Sequence, residues 1–408
     1  MGRRIATGTV GRVRRLVRRP SGRAWLPERV RSVKRSGAGL TVLVDTLSIA
    51  PRAGGIRVYL QQLLEHLPRE DVSIWLVVSP PNRKLFEDLA VDRFFVVPWV
   101  RGSRTWRVLV QQLLVPLIAL IHRPDLLYAP VDVAPVMSPV PIVTCVHSGL
   151  INLRRGVSRG LQARYLRQFV RWSLQRSRRV IAISEYVASM LAEEYPDVAD
   201  RIQVVYHGGG LVEAAESAGW VPPPSGARDG GILFLGTLHP HKGVLDLVRA
   251  YSILRPSCDP APSLIVAGHD PGGQHARIRA AACEAGIEEH VRLLGKVSNR
   301  QALQLLGNSH LLVFPSSSEG FGLPVLEAMR AETPVVAAAR GSLPEIMGAG
   351  GLLVDPSDHE GMAEAMGRLL KDSEERQRVI DVGRRRSREF NWHRTSAETL
   401  EIWRDASR

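Results

Sequence analysis

Two glutamates, Glu319 and Glu327, stand in the stretch SSSEGFGLPVLEAM (316–329) with seven residues between them, among them Gly320, Phe321 and Gly322. The preceding HLLVFPS reads as a buried parallel strand, and the following LPVLEAMRA as a helix. Glu319 then belongs at the carboxyl edge of a strand and Glu327 in the second turn of the helix after it. A carboxylate in such a place accepts hydrogen bonds from paired hydroxyls, as the acidic residue of dinucleotide sites does from a ribose. Other strand ends in the same half carry Gly236 and Lys242 (GTLHPHKG), Gly268 (AGHDPGG) and Arg340 to Glu345 (RGSLPE). Glycine beside a helix start lets backbone N–H groups approach an anion, and the helix dipole favours negative charge there. Lys242 adds a formal positive charge. The set suits a sugar, a diphosphate and a ribose in line, which is a sugar nucleotide. The plainer alternative makes the glutamates a solvated helix end and a first-turn dipole partner; the Lys242 loop weighs against it.

Positioning such residues takes strand–helix alternation, and the chain has it twice. The runs LTVLVDTLS, SIWLVVS, RFFVVP, DLLYAP, PIVTCVH and RRVIAIS alternate with several helical patterns, and GILFLG, PSLIVAGHD, HVRLLGKV, HLLVFPS, TPVVAA and GGLLVD repeat the scheme. Both halves therefore read as doubly wound parallel sheets, and such α/β sheets bind ligands at the carboxyl ends of their strands. The proline- and glycine-rich stretch 213–231 is the expected linker. A length of 408 residues agrees with two domains. The expected divisions are a basic arm over 1–38, an N-terminal domain over 39–212, the linker over 213–231, a C-terminal domain over 232–390 and a last helix over 391–408.

Composition excludes several classes. A 45% hydrophobic, 23% charged chain is globular, and its three cysteines show no paired metal spacing. The net charge of +14 is concentrated at one end: residues 1–38 hold twelve Lys or Arg against the single Glu28, a net +11 that leaves +3 for the rest. No base-reading module or aromatic interleaving accompanies that arm, so nucleic acid is not the expected partner. An anionic membrane surface is the alternative to a plain solvated tail. VLVQQLLVPLIALI (108–121) is shorter than the roughly 18 residues that span a bilayer and reads as a buried core helix. Neither LVDTLS nor ILFLG is followed by Gly-x-Gly-x-x-Gly, which argues against a dehydrogenase.

The segments EGFGLPVLEAM, GTLHPHKG, GSLPEIMGAGGLLVDP and FNWHRTSAETLEIW resemble the retaining glycosyltransferases of family 4, from residue 40 to the C-terminus. The resemblance implies the GT-B architecture, two Rossmann-like domains facing across a cleft. It implies donor contacts from Gly236, Thr237, His241, Lys242, Gly268, Glu319, Gly320, Phe321, Gly322, Leu323 and Glu327. Within that set Glu319 meets the sugar hydroxyls, Glu327 the ribose, and Lys242 the diphosphate. It also implies that the Gly54–Gly55 loop lies near the phosphates and acceptor, and that His147 in TCVHSG stands beside the transferred sugar; otherwise a lone strand-end histidine is structural. His147, Lys242 and Glu319 are the expected catalytic residues. Many relatives place an arginine where this chain has Thr237, which leaves His241 or Arg340 to supply a second phosphate cation.

The expected activity is metal-independent, retaining transfer of a hexose or deoxyhexose from a nucleoside-diphosphate sugar, with no cofactor and no Asp-x-Asp metal site. The alternative is an inactive nucleotide-sugar-binding partner subunit. Across residues 160–179 a helical projection puts Arg164, Arg167, Arg171 and Arg178 on one stripe, with Leu166, Phe169, Val170 and Ser173 roughly opposite. Either that helix packs its apolar side on the sheet as an ordinary surface helix, or it meets anionic lipid. With the basic arm it suggests a glycan or lipid-linked acceptor in cell-envelope synthesis, reached from the cytoplasmic face by a peripheral protein.

Overall fold

A computed structural model describes residues 39–49, 55–98, 100, 104–147, 161–223, 228, 230–258 and 260–408. The basic arm and Gly54 lie outside them. The chain enters strand β1 (Leu40–Asp45), helix α1 (Gly55–Glu65), β2 (Val72–Val78), the short α2 (Pro80–Arg83) and β3 (Arg93–Val96). It continues through α3 (Arg104–His122), β4 (Leu126–Ala129), β5 (Ile142–Val146), α4 (Leu161–Arg176), β6 (Arg179–Ala182), α5 (Glu185–Glu194), β7 (Ile202–Val204) and α6 (Gly210–Ser217). The second half runs β8 (Ile232–Leu235), α7 (Val244–Leu254), β9 (Leu264–Ala267), α8 (Gln274–Glu284), β10 (Val291–Gly295), α9 (Asn299–Asn308), β11 (Leu311–Phe314) and α10 (Leu323–Arg330). It closes with β12 (Val335–Ala338), α11 (Leu343–Met347), β13 (Leu352–Val354), α12 (His359–Lys371), α13 (Ser373–Ser387) and α14 (Trp392–Ser407).

The first sheet has the order β3-β2-β1-β4-β5-β6-β7 and the second β10-β9-β8-β11-β12-β13. Neighbouring strands pair in parallel throughout both. Parallel strands with helices on both faces have no solvent-facing side, and β8, β9, β11 and β12 are accordingly buried along their length. In each sheet the winding reverses once, between β1 and β4 and between β8 and β11. Crevices for ligands form at those two points, beyond the strands' carboxyl ends.

The last helix belongs to the first sheet. Ser396 Oγ donates to Leu63 O of α1 at 3.0 Å, Thr395 Oγ1 donates to Tyr206 O at 2.7 Å, and Trp403 packs on Tyr128 at 4.8 Å between ring centroids. The expected linker starts differently from its sequence reading. Its first residues, 213–217, complete α6, because Glu213 accepts from Gly209 N and Trp392 N and so ties the turn to α14.

Helix α3 also departs from expectation. Val115 and Ala119 are fully buried against β1 and β4, but Leu113 is 72% and Ile121 64% exposed on the other side. A sheet face covers only one side of a helix, so the all-round apolar sequence leaves a stripe facing solvent. No helix among the described residues is long and apolar enough to cross a membrane. Helix α4 buries Val170 and Ser173 as the projection anticipates, but it ends at Arg176, so Arg178 stands outside it.

Candidate active site

The β8–α7 connection builds the cationic side of the second crevice. A short turn over Pro240–Lys242 ends at Gly243, which adopts φ 69°; a Cβ there would lie 2.3 Å from Pro315 O. Only glycine lets the two strand-end loops come this close. Ser317 N then donates to His241 O at 2.8 Å, locking the β8 loop to the β11 loop. The consequence is an ion pair between Lys242 Nζ and Glu319 Oε1, both largely shielded from solvent, with the ammonium 5.2 Å from the centre of the Phe314 ring. Two of the expected catalytic residues thus meet directly.

Gly236 and Gly268 end the adjacent strands β8 and β9, through Gly236 N to Ala267 O and Gly268 N to Gly295 O. Thr237 is exposed on the same loop. The GHDPGG loop is organised by Asp270, whose carboxylate accepts from the backbone N–H groups of Gly272, Gln274 and His275, which hold its pKa below the usual range. The candidates for a second cation both have other partners. Arg340 pairs with Asp355 at 2.7 Å, and the His241 ring stacks on His239 at 5.5 Å.

Glu327 lies on the inner side of α10, where burial pushes its carboxyl up to about 7, partly offset by a hydrogen bond from Leu211 N at 2.8 Å. That contact requires Gly210 at φ 63°, since a Cβ would lie 2.4 Å from Glu327 Oε1. Gly320, Phe321 and Gly322 form the loop between the glutamates, and Leu323 opens α10. Ser184 Oγ, at the start of α5, donates to Gly320 O at 2.7 Å. Glu345 in α11 accepts from Glu185 N and Tyr186 N, both at 2.9 Å, capping the same helix from the other domain.

On the opposite wall His147 ends β5. Its Nε2 lies 3.1 Å from Pro130 O, and burial lowers its pKa to about 4. The carbonyl can only accept, so Nε2 carries the proton and Nδ1 keeps its lone pair. Gly55 is the first, exposed residue of α1. Between His147 and the glycine-rich loop lies His207, which the sequence reading passed over. It stacks on Tyr59 at 4.7 Å and sits 4.9 Å from Phe321 and 5.3 Å from His147. Ser184 was passed over as well, and Glu345 stood only as the last residue of the strand-end RGSLPE stretch, without the helix-capping role it has here. The available signal was YHGGG after a strand-like run, a histidine followed by three glycines of the kind that marks a close backbone approach.

Two sheets of this topology, with paired Lys242 and Glu319 at one reversal point and His147 across from them, define an architecture of two doubly wound α/β domains facing across a cleft. The family model for Glycosyl transferases group 1 matches residues 225–386, and that for Glycosyltransferase Family 4 matches residues 53–208. The O-antigen chain mannosyltransferase B of Escherichia coli is 27% identical over 255 residues, 60% of this chain and 65% of that protein. The MMP alpha-(1->4)-mannosyltransferase of Mycolicibacterium hassiacum is 36% identical over 171 residues, 41% of each chain. The chain thus spans less than two thirds of either relative. The solved structure of HepE from Anabaena in complex with UDP and glucose superposes with a TM-score of 0.67 at 20% identity, over 90% of this chain and 100% of that one. The chain belongs to the group 1 glycosyltransferases of family 4, with the GT-B architecture.

Proposed function

We propose that the protein moves a hexose or deoxyhexose from a nucleoside-diphosphate sugar to a glycan or lipid-linked acceptor, with retention and without a metal. The observation that carries this reading is the Lys242–Glu319 pair at the β8/β11 reversal point, with Glu327 behind it. An arriving diphosphate takes over Lys242, and Glu319 is released to accept from sugar hydroxyls. Glu327 exchanges its bond to Leu211 N for bonds from the ribose hydroxyls. As the bond from the anomeric carbon to the diphosphate oxygen breaks, Lys242 and the N–H groups at the start of α10 neutralise the charge on the leaving group. Preorganised electrostatics of this kind is commonly the largest catalytic term. The acceptor oxygen bonds to the same carbon on the same face, and its proton passes to the released diphosphate. A neutral His147 orients the sugar and takes no part as nucleophile.

Two relatives are named as mannosyltransferases, and one of them acts on O-antigen by its name. These names favour a cell-envelope acceptor and put a mannosyl donor first among candidates. The test is a thermal-shift panel of GDP-mannose, UDP-glucose, UDP-galactose and dTDP-rhamnose on the wild type and on Glu327→Ala. A donor at a hundred times its dissociation constant stabilises by about 2.7 kcal/mol. One base class should raise the melting temperature of the wild type alone. Equal stabilisation of both proteins would remove Glu327 from the ribose.

A further inference from the structure

The solvent-facing stripe of α3 is unlike any other surface of the described molecule. Trp106, Leu109, Leu113, Leu117, Leu120 and Ile121 are all exposed, by between 41% and 72%. At 100° per residue they fall within about 120° of one another, so they form one continuous face rather than scattered contacts. The face is held rigidly. Gln111 donates to Asp45 at the end of β1 and to Val133 O, and Gln112 bonds Ala134 O and Val136 N at 2.8 and 2.9 Å.

Those same bonds carry the patch across to α4. Arg176 Nε of α4 donates to Val136 O at 3.1 Å, and Ser173 Oγ bonds Ala134. Met137, 76% exposed, stands beside Val136 between the helices, and Trp172 of α4 is exposed next to Phe169. Helices α3 and α4 together hold six arginines and not one aspartate or glutamate. An apolar band with aromatic members and only positive charges on its helices matches the layering of a bilayer surface, where apolar side chains enter the acyl boundary and arginines meet anionic headgroups.

We infer that this face of α3, with Met137 and Trp172, rests the N-terminal domain on an anionic lipid surface. The inference rests on the lipid-linked acceptor reading for its purpose, and on the surface itself for its physics. A second copy of the chain fits less well. Two such faces brought together would oppose arginines with no carboxylate on either helix to pair them.

Flotation tests it with the full-length protein and two kinds of vesicle, equal parts phosphatidylglycerol and phosphatidylcholine, or phosphatidylcholine alone. The wild type should partition at least about tenfold better to the anionic vesicles. Leu113→Glu with Ile121→Glu should lower that partition by about tenfold or more, since burying a charge in the acyl boundary opposes binding. Arg171→Glu should reduce the anionic preference and leave more of the residual binding salt-independent. Both side chains of the double variant point to solvent, so an unchanged melting curve and an unchanged shift with donor show that fold and donor site survive. Failure of the donor panel would leave the flotation result intact, and the reverse holds too. Undiminished binding by the double variant would assign attachment to the basic arm and overturn the proposal. So would a wild type that ignores both vesicles, or one that sediments as a dimer which the double variant abolishes.

Discussion

The two sheets reverse their winding in the same way, but the strand ends that face each other across the cleft differ in chemistry. At β8/β11 the crevice is charged, with Lys242 against Glu319 and Glu327 at its back. Across the cleft from it stand the neutral rings of His147, His207 and Tyr59, and burial lowers the pKa of both histidines. A diphosphate needs fixed positive charge, whereas an incoming hydroxyl needs an acceptor that does not compete for the phosphates. Under the proposed function the contrast divides labour across the cleft, leaving-group stabilisation on one side and orientation on the other. The cation on the charged side is paired with the carboxylate of Glu319, so under the proposed function a donor must displace Glu319 from Lys242.

Removing the cation breaks that contrast most severely. Lys242→Ala should lower kcat/KM by about 10³-fold, the range seen when one preorganised electrostatic contact is lost. It also leaves Glu319 shielded and unpaired, which costs stability. The double variant with Glu319→Ala should therefore recover the melting temperature without recovering turnover. Recovery of both would make the pair structural only.

The carboxylate behind the pair sharpens the comparison through pH. A carboxyl raised from about 4.5 to about 7 opposes folding when ionised, so its cost is absent below the unfolded pKa and complete above the folded one. Glu327→Gln keeps an acceptor for Leu211 N and should stabilise the apo protein at pH 8 by about 1–2 kcal/mol, discounted for the solvent the residue still meets. The gain should vanish near pH 5. Donor binding to the wild type should weaken as pH falls through 7, because a protonated carboxyl accepts ribose hydroxyls poorly. Denaturation curves and donor titrations across this window measure both trends.

The smallest effect concerns the contacts between the two sides. Glu345→Ala frees Glu185 N and Tyr186 N, two bonds worth about 1 kcal/mol each. Donor KM should rise severalfold with kcat little changed, if those bonds hold the domains together. A loss confined to kcat would place Glu345 in the chemistry instead.

Much of this was written locally in the chain. The alternation of apolar runs and helix patterns dictated two parallel sheets, because strands buried on both faces must be apolar throughout, as β8 and β11 are. Gly236 and Lys242 in GTLHPHKG announced a strand-end loop with a cation, and the spacing of Glu319 and Glu327 followed from one strand end and one helix. These features depend on neighbours within a few residues, so a linear reading reaches them. Tertiary structure alone decided the rest. His207 gains meaning only from Tyr59, Phe321 and Trp392, which come from three distant segments. Glu345 caps a helix more than a hundred residues earlier. The sequence of α3 determined a helix apolar on every side, and only the sheet beneath it determined which half of that surface would be core and which would be left to face the solvent.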